Sequence, residues 1–209
     1  MSFDVFRNFF PDHILKTIKL NTNYYAGVKD TREDSRREWK PLTEPKLLIF
    51  VAIYIYFGMV HASGSLEWQW DDDFRKPVHR ILAYMTLNRF QQIKRYLHIS
   101  LPSVKADNYY VKLEPLLSHI QITSQNPYHP RSSVSIDEMI IRFSGRSHDT
   151  FRIKDKSTSE GFKILAMCDR GYTWSVLPLS RIAKNFEIEK IEGLSEMACC
   201  VVHLANQLP

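Results

Sequence analysis

Little in this chain could hold it together covalently or carry it through a bilayer. Of 209 residues three are cysteine, Cys168, Cys199 and Cys200. The number is odd and no CxxC pair occurs, so neither a disulfide framework nor a zinc cassette is expected, and a reducing compartment is. The longest apolar run, Leu47 to Val60, is broken by Gly58. It falls short of the roughly 18 residues that argue for a membrane span. It reads as a buried core helix, and no membrane partner is expected. Met1-Ser2-Phe3-Asp4 has no basic region followed by an apolar core, so no secretory leader is expected. Internal repeats and low-complexity segments are lacking too.

What is present is ordinary for a globular chain. Hydrophobic residues make up 44%, enough for one sizeable core or two small ones sharing a boundary. Charged residues make up 24%, and the net charge of +5 permits a polyanionic partner without requiring one.

The first half reads as helical. Phe6, Phe9, Phe10, Ile14 and Ile18 recur near helical spacing, with a helix start at about Asp12. Residues 27 to 40 are charged, of both signs, and read as a solvated loop or short polar helix. Thr43-Glu44-Pro45 opens the next helix, which Gly58 should close. That helix is apolar all round and is expected inside the fold. Asp71-Asp72-Asp73 resembles a metal site, but three acids in a row also suit a loop leading into a helix N-terminus, and the loop is the preferred reading.

From Phe74 to Lys112 acids almost vanish: eight Lys and Arg face only Asp107. Two helices fit, about 77 to 85 and 87 to 98, with Thr86 capping the second. Phe90, Ile93 and Leu97 form its apolar stripe, and Asn88, Gln91, Gln92 and Arg95 lie opposite. Such a face suits phosphate contacts. A merely solvated face looks the same.

After the loop Asn126 to Pro130 the pattern changes to strands. Ser133 to Phe143 is apolar and branched, interrupted by Asp137 and Glu138. Neighbours on a strand point to opposite faces, so these two acids are not expected to chelate one ion together. A mid-strand carboxylate is how many phosphoryl-transfer enzymes hold a first Mg²⁺ ligand. The alternative is an edge strand with its charges in water. Phe162 to Cys168 reads as a strand covered on both faces. Asp169-Arg170-Gly171 then turns a hairpin into the alternating run Tyr172 to Val176. Arg142, Arg146, Arg152, Lys154 and Lys156 make a basic loop between the first two strands, and Leu194 to Leu204 is helical.

Several segments, taken in order, resemble the piggyBac transposases and proteins derived from these transposable elements. They are Thr22-Asn23-Tyr24-Tyr25-Ala26, then Phe57-Gly58-Met59 with Trp70. Met85-Thr86-Leu87-Asn88-Arg89-Phe90 with Leu97-His98-Ile99 follows. Ser135-Ile136-Asp137-Glu138, Gly145-Arg146 and Lys156 with Gly161-Phe162-Lys163 complete the set. Ser157-Thr158 departs from the family's usual Pro after the lysine.

The resemblance implies an α+β fold. A helical, basic dimerisation and DNA-binding region would span 1–130. The first three antiparallel strands and first helix of an incomplete RNase H-like DDE core would span 131–209. It implies DNA transposition, in which two Mg²⁺ or Mn²⁺ ions held by three acids activate the attacking oxygen and stabilise the leaving one. Asp137 matches the first of those acids, as catalytic residue and metal ligand. The positions of the second and third, and the cysteine-rich zinc module, lie beyond the segments matched here. Asp169 ends a strand at the hairpin and is no substitute.

The expectation is therefore a transposase remnant, truncated and inactive alone, that does not stably bind its metal. The alternative is a retained DNA-binding or dimerisation module acting on full-length relatives. The resemblance further implies transposon-end and TTAA DNA as partners, homodimerisation, nuclear residence, and an unpaired outer edge on the 133–143 strand. Candidate DNA contacts are Arg89, Lys94, Arg95, Arg142, Arg146, Lys154, Lys156 and Lys163.

Overall fold

A computed structural model describes residues 3–29, 38–60, 66–71, 80–102, 109–143, 145–154, 158–181 and 188–209. Asp72, Asp73, Lys156 and most of the 27–40 polar stretch lie outside them, as does the start of the helix expected at 77. The chain divides into two compact units, Phe10–Ser103 and Met1–Phe9 with Val104–Pro209.

The first unit is helical. Helix α2 spans Asp12–Lys29, following a short helix α1, Phe3–Phe9, that belongs to the other unit. Helix α3 spans Glu44–Met59 and helix α4 Leu87–Tyr96. Thr86 caps α4, accepting from the Arg89 amide at 3.3 Å. The core is aromatic. Phe90 lies with its ring centroid 5.1 Å from Phe50 and 4.9 Å from Trp70, and the Trp70 indole donates to the Met85 carbonyl at 2.7 Å.

Three expectations need correcting here. Helix α2 runs on unbroken through Asn21 to Lys29, into the stretch from residue 27 that the sequence suggested was a solvated loop or a separate short polar helix. Its later turns are fixed by side chains that reach sideways. Asn23 Oδ1 accepts from the Leu42 amide at 2.7 Å and from the Trp39 indole at 3.1 Å, and these bonds hold the returning stretch of chain against it. Helix α3 is not enclosed. It buries Leu47, Phe50 and Ile53 but exposes Tyr54, Ile55 and Met59, so only one side of its apolar cylinder is covered. It ends at Met59, one residue past the Gly58 stop that the sequence suggested, with Val60 as the C-cap. The helix expected over 77–85 is, in its described part, one 3₁₀ turn, Ile81–Ala83.

The second unit carries the sheet. Strand β1 is Ser135–Arg142, β2 Phe151–Arg152, β3 Glu160–Asp169 and β4 Tyr172–Leu179. All pairings are antiparallel. Strand β3 is central: β1 pairs along one edge, while β2 and β4 share the other. That is why its burial is nearly continuous, as its apolar sequence suggested. Arg170 and Gly171 both take positive φ, 48° and 82°, the two-residue hairpin turn whose twist matches its strands.

Two helices complete this unit. Helix α6, Glu196–Ala205, packs Cys200 and Leu204 against Leu165 and Leu179 on one sheet face. Helix α5, Leu116–Gln125, was not foreseen, because its sequence alternates polar and apolar residues without a clear stripe. It closes the outer edge of β4. Gln121 Oε1 accepts from the Val176 amide at 3.1 Å, and Gln207, just past α6, accepts from Ser175 Oγ at 2.6 Å. Ser175 is therefore buried, although the strand alternation set it with the polar positions. The sequence placed a boundary at residue 130, where helix gives way to strand patterning; the packing instead groups α5 with the sheet.

Asp169 is part of this scaffold. Its Oδ2 accepts from the Arg131 amide at 3.0 Å and the Tyr128 hydroxyl at 2.8 Å, and these bonds, the amide first, hold its carboxyl below the usual range. A carboxyl depressed on folding contributes stability above its unfolded pKa, about 4, and loses it as pH falls through the lower folded value. Asp169→Asn is accordingly expected to lower stability at neutral pH and flatten the acid limb of the stability curve below about pH 4. Urea unfolding of both proteins across that range tests this; parallel curves would contradict it.

Candidate functional site

Asp137 lies near the middle of β1, opposite Ala166, on the more exposed sheet face with Met139 and Ile141. Its Oδ1 accepts from the Glu138 amide at 2.7 Å. Glu138 turns to the other face and forms an ion pair with Lys163, which stands diagonally across on β3. The two acids thus part company as strand geometry requires. Lys163 is only 9% exposed, so this candidate DNA contact is engaged inside the sheet.

Two other cations of this unit share one end of the sheet. Arg142 is opposite Gly161, and Gly161 in turn is opposite Phe151. Arg142 and Arg152 therefore lie at the same end of the sheet, on the two sides of β3; Arg146 is on the connection between β1 and β2, Lys154 is two residues past Arg152, and all four are exposed. Glu160, paired with Arg152, is an acid at this end. The sequence put Arg152 within the basic loop but did not single it out; only the β2 register reveals its place.

Close packing holds this end in shape. A Cβ on Gly161 would lie 2.0 Å from the Ile141 carbonyl oxygen, so β1 and β3 approach too closely for any side chain. Tyr109 stacks on Phe162 at 4.3 Å, and its hydroxyl pKa is pushed up, first by burial and then by the nearby Asp149 charge.

In the helical unit, Lys94 and Arg95 are exposed on α4, and the Arg95 guanidinium lies 5.6 Å from the Tyr96 ring centroid. Arg89 is differently placed. Its guanidinium donates to the Lys40 carbonyl at 2.6 Å and covers the Trp39 ring at 4.5 Å, and burial lowers its pKa. It fastens the segment before α3 to α4. Asp71 follows the 3₁₀ turn Glu67–Trp70, and residues 72–79, where the loop was expected to lead into a helix, lie outside the described residues.

A family model described as Transposase IS4 matches residues 2–205. The chain belongs to this family, in its piggyBac branch. Human PiggyBac transposable element-derived protein 5 is 27% identical over 140 residues, covering 66% of this chain and 26% of that protein. The piggyBac transposase in a cryo-EM synaptic complex with hairpin DNA has a similar fold, with TM-score 0.81 and 21% identity. That match covers 97% of this chain and 42% of the transposase chain. The chain thus spans less than half the length of the relatives it matches.

The motif segments of the piggyBac-type family meet in space. Thr22 Oγ1 accepts from the His98 amide at 3.1 Å, Asn21 donates to the Ile99 carbonyl at 2.7 Å, and Tyr25 stacks on His98 at 3.7 Å. The Thr-Asn-Tyr-Tyr-Ala and Leu-His-Ile segments are therefore two halves of one joint. The family also implies divalent metal use. Among the described residues, however, no group of three or more His, Cys, Asp or Glu could hold an ion. Asp137 supplies one carboxylate to its face, which does not make a divalent site by itself, because Mg²⁺ needs several oxygen donors or substrate phosphates.

Proposed function

We propose that this chain is a DNA-binding member of the piggyBac-type transposase family whose 209 residues engage DNA but do not cut it alone. The observation that carries this is that exposed Arg142 and Arg152 share one sheet end, with exposed Arg146 and Lys154 on the chain segments that adjoin them, on a chain matched by the transposase model from residue 2 to 205. Exposed cations on and beside the strands of a rigid sheet end suit the phosphate backbone, which rewards charge without demanding base sequence.

In this reading the antiparallel order β1–β3–β4 is the opening of an RNase H-like core. Asp137 is the first acid of its metal pair, Mg²⁺ or Mn²⁺. Lys94 and Arg95 extend the DNA contacts from the helical unit, which also serves dimerisation. The DNA is that of transposon ends and TTAA targets, and the setting is the nucleus. Lys163 and Arg89 act structurally, through Glu138 and Trp39.

Binding to duplex DNA, titrated against salt, tests the reading. Replacing Arg142, Arg146 and Lys154 together by alanine should flatten the log–log salt slope by about 0.9 for each phosphate no longer neutralised. Arg89→Ala should leave the slope alone and lower thermal stability instead. An unchanged slope in the triple variant would remove the sheet end from the interface.

A further inference from the structure

Asp149 is a charged side chain shut away from water. It lies on the connection from β1 to β2, three residues after Arg146 and three before Arg152, and is 7% exposed. Its Oδ1 accepts from the Ser180 hydroxyl at 2.5 Å and from the Arg181 amide at 3.2 Å, both just past the end of β4. Strand β2 pairs with Glu160 and Gly161 of β3, and the end of β4 pairs with Lys163, so β2 and β4 follow one another along one edge. Asp149 bridges the two at that joint. The turn that carries it is braced from within. Its amide donates to Ser147 Oγ at 3.2 Å, and the hydroxyl of buried Thr150 donates to the Ser147 carbonyl at 3.0 Å. Its charge also reaches the hydroxyl of Tyr109, whose ring stacks on Phe162.

We propose that Asp149 is a positioning residue for DNA binding, a role that rests on the DNA-binding reading above. By clasping the Ser180–Arg181 corner it fixes the connection that carries Arg146 and leads into Arg152. A buried charge is costly unless its hydrogen bonds are made, and an apolar side chain would cover the same spot with less penalty. What the carboxylate adds is direction, because one oxygen gathers a hydroxyl and an amide in charge-assisted bonds. The sign of its effect on DNA separates two roles. By charge alone, an acid between two arginines that seek phosphate opposes binding, and neutralising it tightens the complex. As a clasp, its loss frees the connection, which must then be ordered at each binding event, and the complex weakens. The number of phosphates neutralised stays the same, so affinity falls at every salt concentration while the log–log salt slope is kept. Loss of a contacting cation flattens that slope instead.

Two measurements on the 209-residue chain test this: tryptic cleavage after Arg146 without DNA, and duplex DNA binding titrated against salt. Asp149→Ala should be cut about tenfold faster than the parent. It should also bind DNA about fivefold more weakly at an unchanged slope, although its net charge is more positive. Asp149→Asn keeps the accepting oxygen and should restore both the resistance to trypsin and the affinity. Ser180→Ala removes one donor and should fall between the parent and Asp149→Ala, and the double variant should be cut no faster than Asp149→Ala alone. The asparagine and serine variants keep the site filled, so they read the clasp even where Asp149→Ala unfolds. Equal cleavage of parent, Asp149→Ala and Ser180→Ala would remove the clasp and leave the DNA-binding reading standing. Faster cleavage with equal or tighter DNA binding would show the clasp to be without a positioning role. A parent that bound no DNA would overturn the DNA-binding reading and this role together.

Discussion

Gly161→Ala is expected to cost roughly 3 kcal/mol or more, enough to leave the sheet unit largely unfolded under mild denaturing conditions. The added methyl carbon would meet the Ile141 oxygen at 2.0 Å and its carbonyl carbon at 2.7 Å. Both are backbone atoms of a paired strand, so relief requires β1 and β3 to separate where Arg142 and Phe151 flank Gly161. Gly145→Ala supplies the contrast. There the new carbon meets the Phe143 ring at 2.4 Å, and a ring can swing aside. Its cost should be much smaller. Urea midpoints of the two variants test this directly; a Gly161→Ala midpoint close to that of the parent would show the strand contact to be looser than described.

Phe90→Ala should be comparably damaging to the helical unit, by about 3–5 kcal/mol. Its side chain is 1% exposed, and rings of Phe50, Tyr54, Phe57 and Trp70 surround it at centroid distances of 4.9 to 6.0 Å. Removing the ring leaves four aromatic neighbours around a void that cannot close without moving all of them. Phe90→Leu fills part of it and should recover much of the loss. Thermal unfolding followed by tryptophan fluorescence measures both, and equal midpoints for the alanine and leucine variants would contradict the packing argument.

Much of the sheet could be read from local patterns. Branched residues with a turn at Asp169-Arg170-Gly171 define β3 and β4, and alternation alone separates Asp137 from Glu138. Thr86 caps its helix as its residue type suggests. What could not be read depends on partners distant in sequence. The burial of Ser175 comes from glutamines 54 and 32 residues away. Lys163 and Arg89 look like free cations until Glu138 and Trp39 are placed beside them. The exposed side of α3 was illegible for the opposite reason: apolar sequence shows what could be buried, not whether anything covers it. The family resemblance named Asp137 as a metal ligand, but the distribution of donors around it had to be seen in space.

The most direct test of a chain that holds DNA without cutting it is incubation of the purified 209 residues with supercoiled, TTAA-containing DNA in Mg²⁺ and then Mn²⁺. Retarded but intact DNA is the expected result, the same for Asp137→Ala as for the parent. Divalent-dependent nicking that disappears with Asp137→Ala would contradict the account.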